Sequence, residues 1–462
     1  MKRETVAALR FGFGLPLPAG AAVVPEAMLA ALAGPDLTAE QYPTASTAEV
    51  LLRLDAFDDA ARDRRRARRA SAGGAPEAIE QAYKAAGQAL NDGWLDGARA
   101  IIARALDAPD GFRERLALFW ADHFTVSVKT PSMRELPLAL MADAIRPNLA
   151  GSFADLLTAV ETHPAMLIYL DQVVSVGPNS VVGKRKGKGL NENLAREMME
   201  LHTLGVGAGY TQDDVRQLAE LLTGMAVQPG RGFRFLRQRA EPGAEQVLGE
   251  SYPEVPQDGM VPIKAVLADL TVRPETARHM AKKLAVHFVS DEPDASLVEA
   301  LETAWMDSGG QLMMVYAALL AHPTAWQPTG PKVRPPVEFV VASLRALGIG
   351  GAQVMGLEDR AMRRLLLQPM TPMGQPWQAP GGPDGWPELA ADWITPQGLA
   401  ARIGWAMDAP SRLAPNLPDP RDFVMWALDD AANKDLIWAA GAAENRAEGV
   451  GLVLASPAFN RR

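Results

Sequence analysis

The chain has 462 residues, of which 48% are hydrophobic and 22% charged, a composition typical of a globular protein with a large core. Its formal net charge of -9 disfavours a general nucleic-acid binder, because such proteins are usually basic. No apolar run approaches the roughly 18 to 20 residues that a membrane span requires. The absence of cysteine excludes disulfides, thiolate metal sites and cysteine nucleophiles.

Hydrophobic periodicity indicates helices along nearly the whole chain, and strands do not alternate with helices as they do in a doubly wound sheet. We therefore expect a mainly α fold, a large multi-helix domain with long irregular loops and at most a few short strands. Short strands are expected near residues 226–235. The predicted helices cover residues 46–54, 76–106, 111–124, 136–149, 153–161, 191–204, 212–225, 274–289, 295–308, 312–321, 336–347 and 357–367.

Three helical regions are expected to form one continuous globular unit. They are an N-terminal region 1–110, a central core 111–330 that contains a helical hairpin at 190–225, and a C-terminal region 331–462.

Several stretches are expected to be irregular or solvated. Long loops in a compact protein are more often functional or mobile than idle. The basic run 62–69 is interpreted as a solvated helix or loop, because the chain as a whole is acidic. The predicted irregular stretches are 174–189, 228–257 and 370–387.

The helix predicted at 191–204 is the most polar segment of the chain. At about 100° per residue, five polar side chains share one face: Asn193, Glu197, Glu200, Arg196 and Glu192. This face either points to water or lines a pocket, and angles alone leave both interpretations open. In the pocket interpretation, Glu197 and Glu200 lie one turn apart and can share a proton or a divalent metal.

His202 falls on the opposite, apolar face of the same helix, among Leu194, Met198 and Leu201. In a regular helix it points away from Glu197 and Glu200, so the three side chains cannot bind one metal together. A histidine on an apolar face is more often a hydrogen-bonded core residue than a ligand.

A glycine-rich turn joins the polar helix to the next one. Gly205 is expected to adopt a left-handed conformation near the helix end, and Thr211 is expected to cap the following helix. A DNA-reading helix-turn-helix is disfavoured, because the turn is too long and the second helix too acidic.

Other candidate residues lie outside the polar helix. Asp122 precedes His123 in an aromatic segment, where a carboxylate can orient an imidazole, although a buried histidine bonded to backbone is the favoured alternative. His279 and His287 are eight residues apart, too far for one metal, and structural or surface roles are expected for them. Tryptophans in the last irregular stretch and just beyond it either bind a sugar or peptide or clamp the loop to the core: Trp377, Trp386 and Trp393.

Nearly the whole chain resembles the bacterial family catalogued as domain of unknown function 1800. The motifs that carry the resemblance are RFGFG at 10–14, LFWADHFTVS at 118–127, HPAMLIYLD at 163–171, LNENLAREMMELHTLG at 190–205, YTQDDV at 210–215, LTG at 222–224, KLAVHFV at 283–289, PVEF at 336–339, MGQPW at 373–377, GWP at 385–387 and SPAF at 456–459.

The resemblance implies a mostly helical bacterial protein, and it brings no established catalytic residues. Members often look exported and are often encoded beside the domain of unknown function 1501 family, whose proteins resemble phosphatases and sulfatases. Members also commonly carry a His-Asp pair before a lysine; here the stretch 240–249 lacks the histidine, and Glu245 replaces the lysine. Loss of that pair implies that an activity resting on it is absent from this chain.

Two functional hypotheses follow. The favoured one is a non-catalytic or degenerate partner or assembly protein that acts with a phosphatase- or sulfatase-like protein of the 1501 family, with no nucleic acid and no membrane span expected. The alternative is an enzyme whose carboxylate and histidine pocket performs metal-assisted or acid–base chemistry on a polar substrate. The candidate residues for that pocket are Asn193, Arg196, Glu197, Glu200, Asp122, His123, Asp171 and His202, with Glu197 and Glu200 as the metal pair.

The sequence leaves two alternatives for the cellular compartment of the protein. The first ten residues contain basic side chains, but Arg10 interrupts any apolar stretch, so no signal peptide is recognised. The default expectation is the cytoplasm, and export is the alternative that the family resemblance implies.

Overall fold

The computed structural model describes residues 1–70, 74–255, 257–328 and 332–462. It is mainly helical, with two small antiparallel hairpins among the described residues, and this confirms the predicted fold class. Residue 256, inside a stretch predicted to be irregular, and the predicted boundary at 330 and 331 lie outside the described residues.

Two long antiparallel helices dominate the N-terminal region. Thr47–Ala70 and Glu77–Asp107 pack side by side, and Phe57 contacts Tyr83 while Arg64 pairs with Glu80 at 2.9 Å. The basic run 62–69 forms the outer end of the first of these helices, as a largely solvated face. The α-helices of this region span Arg3–Val6, Pro25–Ala33, Leu37–Gln41, Thr47–Ala70 and Glu77–Asp107.

The remaining α-helices form the central and C-terminal regions. The central ones span Gly111–His123, Leu136–Leu140, Phe153–Glu161, Pro164–Tyr169, Val181–Lys186, Asn193–Glu197, Gln212–Leu221, Met260–Thr271, Pro274–Phe288, Ala295–Ser308 and Leu312–Ala321. The C-terminal ones span Pro336–Ala346, Gly351–Met355, Asp359–Ala361, Gln368–Met370, Ala390–Trp393, Pro396–Leu413, Pro420–Leu428, Lys434–Ala442, Arg446–Ala455 and Pro457–Asn460.

Short turns of other helix types connect or extend these elements. The π-helical turns are Ala7–Phe11, Met141–Ile145, Met198–His202 and Met362–Leu367. The 3₁₀ turns are Pro131–Met133, Arg146–Asn148, Gln172–Val174, Arg237–Arg239, Pro323–Trp326 and Asp429–Ala431.

Two of the stretches predicted to be irregular contain regular structure. Residues 174–189 include the helix Val181–Lys186, because Ser180 caps its first turn and Gly187 ends it with a positive φ. Residues 228–257 complete one hairpin and contain a second: Met225–Gln228 pairs with Gly232–Phe235, and Ala244–Val247 pairs with Glu250–Pro253. The first hairpin agrees with the short strands predicted near residues 226–235, whereas the second was not predicted, because strands of four residues beside glycines carry little alternation.

The hydrophobic residues form two large clusters. The first joins the opening helix turns to the central region, from Ala7 to Ala325, and is centred on Trp120, Phe153 and Trp305. The second joins the helix Glu77–Asp107 to the C-terminal helices. No helix in the described part of the chain is long and apolar enough to cross a membrane.

The polar helix departs from the regular geometry that the sequence analysis assumed. Asn193–Glu197 is α-helical, but Met198–His202 continues as a π-helical turn. A π-turn contains one residue more than an α-turn, so the predicted angles hold only up to Glu197. Gly205 has a φ of +95°, and Thr211 and Asp214 form the capping box of the next helix, in line with the predicted turn.

Candidate functional site

The charged stripe of the polar helix lies at the surface. Arg196 pairs with Glu192 at 3.3 Å and with Glu200 at 3.4 Å, and each of the three side chains is about one-third exposed. Asn193 is exposed, and its backbone N–H donates to the Asn191 side chain at 2.9 Å. The stripe is therefore partly solvated, with its ion pairs formed along the helix itself.

Glu197 is a partly buried carboxylate of that face. Burial raises the pKa of Glu197, and the charges of Glu200 and Asp384 add to the rise, while His202 and Arg196 oppose it. Burial also raises the pKa of Tyr169, helped by Glu197 and Asp384. Glu197, Tyr169 and Asp384 thus lie close enough to sense one another at the edge of the 370–387 loop.

The other predicted residues separate into different surroundings. His202 is buried, and its Nδ1 lies 2.6 Å from Glu161 Oε1. His123 is buried as well, and its Nε2 lies 3.2 Å from the carbonyl oxygen of His202 rather than against Asp122. Asp171 has a left-handed backbone and is half-exposed, where it pairs with Lys129 at 3.4 Å.

Asp122 points into a cavity of about 140 Å³ that lies between the two hydrophobic clusters. Five of the segments that carry the family resemblance contribute to its walls: 118–127, 283–289, 336–339, 373–377 and 385–387. The lining residues are mostly apolar, with the side chains of Trp377, Trp386 and Trp393 among them. Sequence motifs that are far apart along the chain therefore converge on one cavity.

The Asp122 carboxyl is held by a single hydrogen bond. Its Oδ1 accepts the backbone N–H of Trp386 at 2.9 Å, whereas Oδ2 has no partner among the residues that the structure describes. Gly385, with a φ of +81°, permits this approach, because a Cβ there would lie 2.7 Å from the Asp122 carbonyl oxygen.

The surroundings of Asp122 shift its carboxyl toward the protonated form. Burial raises the pKa of Asp122 to about 7. The Trp386 N–H and the charge of Lys283 oppose this rise, and the charges of Glu388 and Asp384 add to it. Lys283 lies close enough for its charge to act on Asp122 but forms no ion pair with the carboxyl.

His287 and Glu388 form a second polar group on the cavity wall. His287 Nδ1 lies 2.5 Å from Glu388 Oε1, and His287 Nε2 lies 3.5 Å from Arg115 Nη2. An arginine only donates hydrogen bonds, so the Nδ1–H of a neutral His287 points to Glu388. Burial alone would raise the pKa of Glu388, but His287 and Lys332 together lower it to about 2.

Glu338 is the third acidic residue of the lining, and two arginines neutralise its charge. Its carboxylate oxygens lie 2.5 Å from Arg115 Nη1 and 2.7 Å from Arg462 Nη1. All three side chains are at most 7% exposed, so this is a buried ion cluster at the cavity floor. The cluster fixes the position of the Glu338 carboxylate.

One donor on the cavity wall lacks an acceptor. The indole Nε1 of Trp377 is buried and makes no hydrogen bond with the described residues. Buried donors are normally paired, so an unpaired one beside a cavity is unusual. Within the described residues, no three His, Asp or Glu side chains are arranged to hold a metal, and the Glu197 and Glu200 pair stays a predicted metal site.

Fold and site together define a mainly helical protein with an aromatic-walled, carboxylate-bearing cavity between two cores. Residues 7–461 match the family described as Protein of unknown function (DUF1800), and the chain belongs to that family. The resemblance proposed from the motifs is thereby confirmed over almost the full length. No curated protein and no solved structure matches the chain.

Sequence reasoning singled out Asp122 but missed its partners in the cavity. His287 was set aside because its distance from His279 excludes a shared metal, and Glu338 and Glu388 were not considered. Their position in the sequence could have identified these two residues as candidates. Glu338 lies inside the PVEF motif, and Glu388 directly follows the GWP motif. Acidic residues within or next to proline-containing motifs were therefore the better candidates.

Proposed function

We propose that the chain is an acid–base enzyme whose substrate binds in the cavity beside Asp122. The observation that carries this proposal is the Asp122 carboxyl, which has one free oxygen, a pKa of about 7 and an apolar cavity in front of it. A group with a pKa near the working pH can both give and take a proton efficiently. Perturbed carboxyls in cavities are candidates for such roles.

The other polar groups support Asp122 rather than react. His287 has both ring nitrogens engaged, and Glu338 is held by two arginines. Asp122 alone combines a free oxygen with access to the cavity. The apolar walls strengthen its electrostatic interactions with a bound molecule because they exclude water.

The first test asks whether the cavity binds small molecules. Binding of benzyl alcohol, a neutral probe, is measured by ligand-observed NMR for the natural chain, for Val337→Phe, which fills the cavity, and for Val206→Phe. Val206 is 78% exposed and gives a matched control. We expect binding to the natural chain and to Val206→Phe and its loss in Val337→Phe. Equal binding to all three variants, or to none, contradicts the proposal.

The second test asks whether Asp122 exchanges protons and turns over a substrate. A difference proton titration between the natural chain and Asp122→Asn is expected to show one group titrating near pH 7. In a screen of esters, amides, glycosides and lactones, Asp122→Asn is expected to lower turnover by about 100-fold or more. Titration of Asp122 below pH 5 argues against the role.

The second candidate is the partner or assembly role with a phosphatase- or sulfatase-like protein of the 1501 family. It is supported by apolar side chains that the C-terminal helices expose, above all Trp438 at 74% and Trp426 at 56%. Large exposed aromatic side chains are common at protein interfaces.

The test is co-elution of the two purified proteins in gel filtration. Trp438→Ser is expected to abolish co-elution and Val206→Ser to retain it, and co-elution of both variants contradicts this surface.

A further inference from the structure

The charged groups that line the cavity are all acidic. Asp122, Glu338 and Glu388 contribute to its walls, and no lysine or arginine does so among the described residues. The cations that balance the cavity lie behind the carboxylates, in the protein. A molecule in the cavity therefore meets carboxyl groups before it meets any lysine or arginine of the described residues.

Two of the three carboxylates are already compensated. Glu338 pairs with Arg115 and Arg462, and Glu388 pairs with Lys332 at 3.0 Å and with His287. Asp122 accepts the Trp386 N–H at 2.9 Å and feels the charge of the buried Lys283, which forms no ion pair with it. An ionised Asp122 is thus the one carboxylate of this lining that lacks a cation within ion-pair distance in the part of the chain that the structure describes.

The walls beside Asp122 suit a cation that carries an apolar body. Trp386 and Trp393 lie with ring centroids 6.5 Å apart, and Trp377 belongs to the same lining. The negative faces of indole rings attract cations more strongly than other aromatic side chains do. The cavity volume of about 140 Å³ is close to that of an engineered cavity of about 150 Å³ that binds benzene.

We propose that the cavity binds a small primary amine, with the ammonium group at Asp122 and a ring-sized apolar body against the tryptophans. This inference rests on the proposed function, because it takes the cavity as the working site. The ammonium group supplies a cation in direct contact with Asp122, and Asp122 becomes ionised when the amine binds. An ionised Asp122 repels a carboxylate ligand of the same size.

Three probes of one size and different charge test the inference: benzylamine, benzyl alcohol and benzoate. Dissociation constants are measured at pH 7 by calorimetry on the full chain. We expect benzylamine to bind at least about tenfold tighter than benzyl alcohol, a difference of about 1.4 kcal/mol, and benzoate to bind most weakly. In Asp122→Asn, benzylamine is expected to lose this advantage while benzyl alcohol still binds. The exposed Asp435→Asn is the matched control for loss of one charge and is expected to keep the natural preference.

Proton release gives an independent readout. Because binding of an ammonium group ionises Asp122, benzylamine is expected to release protons at pH 7, measured from the dependence of the binding enthalpy on the buffer. Benzyl alcohol is expected to release none.

The outcomes separate the two proposals. If benzyl alcohol binds as tightly as benzylamine, or if Asp122→Asn keeps the amine preference, the inference is wrong and the cavity remains the proposed working site. If no probe binds and Val337→Phe changes nothing, the proposed function and the inference both fail.

Discussion

His202 Nδ1 lies 2.6 Å from Glu161 Oε1, and both side chains are at most 1% exposed. This contact joins the π-helical end of the polar helix to the helix Phe153–Glu161 inside the first hydrophobic cluster. The candidate histidine of the polar helix is therefore a core residue with a buried carboxylate partner. Its position explains why it cannot join the surface stripe on the same helix.

Removal of this histidine is expected to be strongly destabilising. His202→Ala leaves Glu161 buried without its partner, and loss of one member of a buried pair costs about 3–5 kcal/mol. Urea unfolding followed by circular dichroism measures the change. The double variant His202→Ala with Glu161→Gln is expected to be less destabilised than His202→Ala, because no charge is left unpaired. A cost below 1 kcal/mol for the single variant would contradict the buried pair.

The surface stripe is expected to contribute little to stability. Arg196→Ala removes both of its ion pairs, but exposed pairs contribute only about 0–1 kcal/mol. The free energy of unfolding is therefore expected to change by less than about 1 kcal/mol. The same urea titration serves as the measurement, and a loss above 2 kcal/mol would show that the stripe is more enclosed than its exposure indicates.

Asp122 is expected to make the protein less stable as the pH rises. Its pKa is about 7 in the folded chain and about 4 when unfolded, so the folded state holds a proton that the unfolded state releases between these values. Stability from this group is complete below pH 4 and falls as the pH rises to 7. Asp122→Asn removes this pH dependence. Between pH 5 and pH 8, its free energy of unfolding is expected to rise by about 1–3 kcal/mol relative to that of the natural chain.

The measurement is the free energy of unfolding of both proteins at each pH. Asn still accepts the Trp386 N–H, so the local backbone is preserved. Parallel pH profiles for the two proteins would rule out the raised pKa of Asp122.

Glu245 is another buried carboxyl whose pKa is strongly raised. It is 5% exposed, and burial raises its pKa to about 7, with further increases from Glu220, Glu241 and Glu254. Glu245→Lys replaces repulsion among four acids with attraction. We expect it to stabilise the chain by about 1–3 kcal/mol at pH 8, and less at pH 5, where Glu245 is already protonated.

Glu245→Gln separates the two contributions, because it removes the repulsion without adding a cation. Thermal unfolding at both pH values is expected to rank Glu245→Lys above Glu245→Gln and both above the natural chain. A destabilised Glu245→Lys at pH 8 would show that the site does not accept a cation.

Local patterns predicted much of the fold. The helices Phe153–Glu161, Ala295–Ser308 and Leu312–Ala321 begin and end where their periodicity does, and the capping role of Thr211 was predicted correctly, because these features depend on neighbours in the chain. Strands of four residues between glycines were harder to recognise, since so short a segment carries little alternation.

The candidate site was less accessible from sequence for a physical reason. Asp122 and Trp386 are 264 residues apart, and neither the hydrogen bond between them nor the cavity follows from local periodicity. The polar helix attracted the prediction because its charges are dense, yet its stripe pairs along its own surface. The one sequence signal for the cavity was that acidic residues lie within or next to motifs that contain tryptophan or proline.

The π-helical turn at Met198–His202 has a consequence for insertions and deletions in this segment. Deleting one residue there would restore an ordinary α-turn and rotate everything that follows by roughly 100° relative to the stripe. His202 would leave Glu161, and the glycine turn at Gly205 would no longer meet His279, whose Nδ1 would lie 3.1 Å from a Cβ at that glycine. The extra residue thus sets the angle between the solvent-exposed face and the buried face of this helix. The number of residues in this turn is therefore constrained more tightly than their identity.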